Sequence, residues 1–105
     1  MDSYGSFLNL SIEAGHVDNF YFLMNNESVD FTKPLDQESN TSLLLAVKCN
    51  KGDFVVSILN KLKEDKILTS LDKQFFINHQ NHQGNTAIHL AALKDLQTIT
   101  QILER

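Results

Sequence analysis

The amino-acid sequence predicts one all-α domain, residues 1–105, made of helix-turn-helix units joined by short hairpin-like turns. Two observations indicate this fold class. First, apolar residues recur at helical spacing, as in the stripe Phe54, Val55, Ile58, Leu59 and Leu62. Second, short polar segments with Gly, Asn or Asp separate such stripes, and these residues tolerate the backbone conformation that ends a helix. Helices shorter than about 12 residues are marginal alone in water, so each unit needs a packed neighbour.

Composition and charge exclude several classes of function. A hydrophobic content of 42% is typical of a folded globular chain. The formal net charge of −4 argues against direct binding to nucleic acid, which requires a basic face. We find no apolar run long enough to cross a membrane and no secretory signal pattern at the first residues. Since Cys49 is the single cysteine, an internal disulfide is impossible, and these features together predict a cytoplasmic or nuclear location.

The stretch from Ile77 to Leu93, INHQNHQGNTAIHLAAL, holds the most specific motif. Gly84 and the asparagines around it predict a tight turn, and the hydroxyl of Thr86 can cap the helix that follows. The run TAIHLAA resembles the first helix of an ankyrin repeat, whose signature is T-P-L-H-x-A with a period of about 33 residues. Ala87 stands where that family usually has proline. The resemblance implies an ankyrin-repeat solenoid.

This resemblance divides the chain into three repeats and one insertion. The boundaries are about 3–30 for repeat one, 36–64 for repeat two, 65–76 for the helical insertion and 77–105 for repeat three. Repeat one has the loop motif AGHVD but lacks the T-P-L-H segment, and Val29–Asp30 would end it. The connector that follows contains Pro34 as a rigid point and carries a few residues more than the lead-in to repeat three.

Repeat two aligns with repeat three from Thr41 and Thr86 onward. Asn50 and Asp95 then occupy the position that requires a left-handed backbone, although Gly52 leaves open a slightly lengthened loop in repeat two. The two threonines are 45 residues apart, about 12 more than the expected period. The extra residues keep apolar side chains at helical spacing, which predicts a longer second helix or an added helical turn followed by a bend. We expect this insertion to serve local packing, with a contact surface as the alternative.

The sequence contains no recognisable catalytic or metal-binding motif. His79, His82 and His89, with Cys49, do not follow the ligand spacing of a zinc site. The resemblance implies that His89 is structural, hydrogen-bonding across the turn with Thr86. We also find no phosphate-binding loop, dinucleotide fingerprint or nucleophile elbow. We therefore predict that the chain is not an enzyme and uses no cofactor or metal.

A protein-binding surface is the function that remains. Stacked repeats form a concave face from their first helices and turn tips. By analogy with the ankyrin family, the candidate protein-binding residues are Gln37, Glu38, Asn40, Lys48, Cys49, His82, Gln83, Asn85, Leu93 and Lys94. Leu93 is apolar at a position expected to face the groove, where it either anchors a partner or packs on a neighbouring loop. Neutral Asn and Gln side chains at the tips favour a protein ligand over a phosphate.

Two narrower alternatives stay open. The lead-in FINHQN after a long spacer, followed by TAIHLAA, is similar to the inhibitor-of-κB group of ankyrin proteins. This similarity implies inhibition of a Rel-type transcription factor, although the D-S-G-x-x-S phosphodegron of the cellular inhibitors is absent and irregular spacers occur in other ankyrin proteins. The second alternative is a self-associating structural module, because no polar outer cap follows the last predicted helix. It would form a homodimer through the C-terminal repeat.

Overall fold

Helices make up all the regular secondary structure in the described part of the chain. The computed structural model describes residues 3–25 and 31–104, so the expected repeat end at Val29–Asp30 lies outside the described residues. The helices are α1 (Ser3–Ala14), α2 (Val17–Met24), α3 (Ser42–Lys48), α4 (Gly52–Glu64), α5 (Ser70–Ile77), α6 (Ala87–Leu93) and α7 (Gln97–Leu103). The predicted all-α class is confirmed. None of these helices is long and apolar enough to cross a membrane.

The structure contains three helical hairpins, α1–α2, α3–α4 and α6–α7. The loops that connect their helices have the same conformation. The central residues of these loops, Gly15, Asn50 and Asp95, have left-handed φ angles of 77°, 55° and 55°. In each loop the amide of the next residue donates to a carbonyl five positions earlier, the bond that closes a Schellman motif. These bonds are His16 N to Ser11 O (3.0 Å), Lys51 N to Ala46 O (2.9 Å) and Leu96 N to Ala91 O (2.9 Å). The left-handed positions predicted at Asn50 and Asp95 are confirmed, and Asn50 closes its loop without an added residue.

The three hairpins pack in a row, with α3–α4 in the middle. The helix α3 contacts both α1 and α6, and α4 contacts both α2 and α7. Every side chain from Ser42 to Val47 is buried, and Phe20 of α2 meets Phe54 of α4 edge to face with 5.0 Å between ring centroids. The core therefore lies between neighbouring hairpins, and α3 has only its C-terminal end free for contacts with other molecules.

The predicted insertion forms a separate helix, α5, and not an extension of α4. Helix α4 ends at Glu64, after which Asp65 Oδ1 accepts hydrogen bonds from the amides of Ile67 (2.8 Å) and Leu68 (2.9 Å). The bond from Leu68 is the largest cause that holds the pKa of Asp65 below its ordinary value. Thr69 and Asp72 then form a capping box that starts α5.

The helix α5 is anchored to the domain by one aromatic side chain. Phe76 is buried and packs edge to face on Phe31, with 5.7 Å between ring centroids. The side chains of Leu71 and Phe75 on the same helix are exposed. Local packing, the expected role of the insertion, accounts for Phe76 but not for these two residues.

Candidate protein-binding surface

Two polar turns precede α3 and α6 and have the same hydrogen-bond pattern. We call residues 36–41 the first tip and residues 81–86 the second tip. Asp36 Oδ1 accepts from the amides of Glu38 (3.1 Å) and Asn40 (2.9 Å). In the second tip, Asn81 Oδ1 accepts in the same way from the amides two and four positions later, at 3.0 and 3.1 Å. Ser39 and Gly84, which correspond in the two tips, have left-handed φ angles of 64° and 78°.

Each tip ends in a threonine that caps the following helix, and the cap predicted for Thr86 is confirmed. Thr41 Oγ1 accepts from the amide of Leu44 at 3.4 Å, and Thr86 Oγ1 accepts from the amide of His89 at 3.3 Å. The contact expected between His89 and Thr86 is thus made by the His89 backbone. The imidazole of His89 is exposed.

Direct hydrogen bonds hold the two tips side by side. Asn81 Nδ2 donates to Asn40 Oδ1 at 2.9 Å in a buried position, and the amide of His82 donates to Glu38 O at 2.9 Å. The ring of His79 adds a third bond, from Nε2 to Ser39 O at 2.8 Å. Because a carbonyl oxygen only accepts, Nε2 carries the proton in this contact. Three donors in a row therefore fix the register between the tips.

Asn40 belongs to this internal network and not to the outer surface. Its side chain is 2% exposed, and its Nδ2 donates to Asp36 Oδ2 at 3.0 Å. Both ends of the amide group are therefore occupied, which corrects the expectation that Asn40 offers a contact to a partner. The corresponding residue in the second tip, Asn85, is half-buried, and the described residues offer its side chain no hydrogen bond.

The other tip residues on the candidate surface are exposed and lie in register. Gln37 and Glu38 in the first tip correspond to His82 and Gln83 in the second, with a separation of 45 residues. All four side chains are exposed. Since the bond from His82 N to Glu38 O brings the tips together, these residues form one contiguous patch.

A second group of candidate residues lies at the far ends of α3 and α6. Lys48, Leu93 and Lys94 are exposed, and Cys49 is half-buried. The two helices contact each other, start at adjacent tips and have 7 residues each. At 1.5 Å per residue, the two groups are about 10 Å apart along the helix axes. A single partner can therefore contact both groups.

Leu93 is the exposed apolar residue of this surface. It is 72% exposed, which excludes the alternative in which its side chain packs on a neighbouring loop. Lys94 follows it in the chain, and Lys48 holds the position on α3 that corresponds to Leu93. This arrangement suits an apolar side chain with carboxylates beside it.

The described residues contain no cluster of three or more His, Cys, Asp or Glu side chains placed to hold a metal ion. A groove of about 460 Å³ lies between α4, α5 and α7, and none of its lining residues belongs to either tip. It is lined by Val56, Leu59, Asn60, Leu62, Lys63, Lys73, Ile77, Ile102 and Leu103.

No protein-family model matches the sequence. The ankyrin resemblance thus depends on the motif residues between Ile77 and Leu93 and on the turn and helix pattern that they share with Thr41–Asn50.

Proposed function

We propose that the chain is an ankyrin-type interaction module that binds one protein partner through the paired tips and the free ends of α3 and α6. The observation that carries this proposal is the register of the tips. Three hydrogen bonds lock them together, while Gln37, Glu38, His82 and Gln83 remain exposed on the outside. A backbone fixed before binding loses little further freedom in the complex, so such a patch suits recognition.

The arrangement of the hairpins supports an ankyrin-like solenoid. All three hairpins have a left-handed residue at the same loop position and the same backward hydrogen bond. Two of them also have the same tip pattern and the same threonine cap. They also pack in chain order. Local geometry that recurs in this way, with the main contacts between neighbouring units, is typical of repeat proteins.

Leu93 and the lysines beside it indicate the chemistry of the partner. An exposed leucine becomes an anchor when a partner supplies an apolar pocket, and Lys48 and Lys94 favour carboxylates around that pocket. The resemblance to inhibitors of κB implies a Rel-type transcription factor as the first candidate. A partner of this kind would place the module in the cytoplasm or nucleus. Neither binding through this surface nor the chemistry of its exposed groups calls for a catalytic residue, a metal or a cofactor.

The test compares Leu93→Asp with a matched control, Leu71→Asp. Both leucines are exposed, at 72% and 58%, but Leu71 lies on α5 and outside the proposed surface. Partners captured from cell lysate by the wild-type chain are identified by mass spectrometry, purified and titrated directly by calorimetry. We expect Leu93→Asp to weaken the titrated complex at least about tenfold, the loss that corresponds to about 1.4 kcal/mol. The Leu71→Asp control should bind as the wild type does.

A purified dimer of a Rel-type transcription factor is titrated in parallel to test whether the partner belongs to this class. Saturable binding that Leu93→Asp weakens and Leu71→Asp preserves would support the inhibitor function. A partner that binds equally well to both variants would contradict the proposed surface. Circular dichroism of each variant checks that the helices are intact.

A further inference from the structure

The α6–α7 hairpin corresponds to α3–α4 position by position, but the described residues pack against only one of its sides. Leu43, Leu44 and Val47 of α3 are 1%, 1% and 0% exposed because α1 and α6 cover α3 from both sides. The corresponding residues, 45 positions later, are Ile88, His89 and Ala92. Ile88 is 37% exposed, and the other two are exposed as well. We call this side of the hairpin the outer face.

The second helices of the two hairpins differ in the same direction. Val55 and Ile58 of α4 are fully buried. Their equivalents on α7, Thr100 and Leu103, are half-buried. Because Leu103 also lines the groove between α4, α5 and α7, the outer face on α7 is limited to Thr100.

The tips show what covers such a face inside this molecule. In the first tip, Glu38 O, Ser39 O and Asn40 Oδ1 accept hydrogen bonds from the neighbouring unit. The corresponding acceptors in the second tip are Gln83 O, Gly84 O and Asn85 Oδ1. None of these three accepts a hydrogen bond from the described residues. The second tip thus has the same three acceptors as the first tip, but the described residues provide no donors for them.

We propose that the outer face binds a helical hairpin of matching chemistry in a partner polypeptide. The turn that leads into this hairpin offers a ring N–H, a side-chain amide and a backbone N–H in the register of His79, Asn81 and His82. Its helices bury Ile88 and Ala92. The occupant is inferred from the interface between the first and second tips, which the outer face continues.

The outer face shares the second tip with the surface proposed above but does not include Leu93. Lys48 and Cys49, which correspond to Leu93 and Lys94, remain exposed or half-buried although α6 packs over α3. A hairpin stacked on the outer face therefore leaves Leu93 accessible. The two surfaces can be tested separately.

A second copy of this chain is a poorer occupant of the outer face. In each copy the donors with the required chemistry, His79 Nε2, Asn81 Nδ2 and His82 N, are already bonded to that copy's own first tip. Self-association with the same chemistry would have to break those bonds. We therefore infer a separate hairpin whose donors are free.

The probe is a hairpin known to match, namely that of this chain. Residues 60–104 are duplicated and joined directly after Glu104, which preserves the separation of 45 residues between corresponding positions. The first 104 residues are unchanged. We expect the extended chain to unfold in one cooperative transition at a higher Tm than the parent. In hydrogen exchange, the added equivalent of the His82 amide should be protected as His82 is.

Asn85→Ala tests whether the added hairpin packs on the outer face or only folds as a separate unit. In the extended chain Asn85 would accept the bond that Asn40 accepts in the parent, so the substitution should lower Tm by several degrees. In the parent chain its effect should be much smaller. The matched control is Asn78→Ala in the first copy, since Asn78 is exposed and outside the outer face. It should behave alike in both chains.

Ala92→Glu tests the apolar part of the outer face. The carboxylate would be buried between the hairpins of the extended chain and should split its unfolding into two transitions, but Ala92 is exposed in the parent. The proposal is overturned if the added residues stay unfolded by circular dichroism. The same segment folds against α3–α4 in the parent, so a matching outer face should fold it as well. The proposal is also overturned if Asn85→Ala lowers the Tm of the parent and of the extended chain by the same amount. A parent dimer in sedimentation that Ala92→Glu abolishes would instead assign a second copy as the occupant.

Discussion

The α3–α4 and α6–α7 hairpins have the same local construction but differ in how much of their surface is buried. Both begin at an Asx-type tip and a threonine cap, and both turn on a left-handed residue. Leu45 of α3 is nevertheless 4% exposed, whereas its equivalent Leu90 of α6 is half-buried. Because the local geometry is common to both hairpins, this difference arises from the neighbours that pack against each. Stability in this chain is therefore expected to depend on hairpin contacts more than on any single hairpin.

The largest difference between the hairpins should appear on truncation of these two leucines. Leu45→Ala removes a buried side chain and should lower the free energy of unfolding by about 2–5 kcal/mol. Leu90→Ala should cost less, roughly 1–2 kcal/mol, because part of the side chain is already in water. Urea unfolding followed by circular dichroism measures both. Equal costs would mean that α6 is covered in solution as α3 is.

A smaller difference is expected at the paired asparagines of the tips. Asn40→Ala leaves Asn81 Nδ2 and Asp36 Oδ2 without their partner and should cost about 1–3 kcal/mol of unfolding free energy. Asn85→Ala removes no hydrogen bond made by that side chain and should stay within about 0.5 kcal/mol of the parent. The same urea titration compares the two variants. A large loss for Asn85→Ala would show that its amide already has a partner in the isolated chain.

The smallest difference should be found at the helix caps. Thr41→Ala and Thr86→Ala each remove one hydrogen bond that a helix amide donates to the threonine Oγ1, and each should cost about 1 kcal/mol. The two threonines are 1% and 7% exposed, so their surroundings are also alike. Serine at either position retains the hydroxyl and is the control. Costs that differ by more than about 1 kcal/mol would contradict equal local construction.

The local geometry of the chain could be predicted where it depends on atoms a few residues apart. The caps at Thr41 and Thr86 and the left-handed residues Asn50, Gly84 and Asp95 are of this kind. The break before α5 was missed, although the sequence contains a signal for it. The run T-S-L-D matches a capping box, and Thr69 and Asp72 form one.

The contacts between tips could not be predicted in this way. The bonds from Asn81 to Asn40 and from His79 to Ser39 join residues 41 and 40 positions apart. Nothing in the residues around Asn40 distinguishes it from Asn85, and so both were expected on the surface. His79 was considered only as a zinc ligand, and no contact with another turn was predicted for it. A polar side chain has the same local preferences whether or not a donor from a distant segment comes within reach.

By itself, the sequence determined the helical segments apart from the break before α5, the threonine caps of α3 and α6, and the loop that closes each hairpin. Hydrogen bonds within a few residues and apolar spacing decide these features. Only the tertiary structure decided which equivalent residues are buried. Leu44 and His89 hold the same position in α3 and α6, yet one is 1% exposed and the other is exposed. The physical reason is that a side chain becomes buried only where another helix packs over it, which creates an enclosed space between the two helices. That space exists on both sides of α3, whereas the described residues enclose α6 on one side.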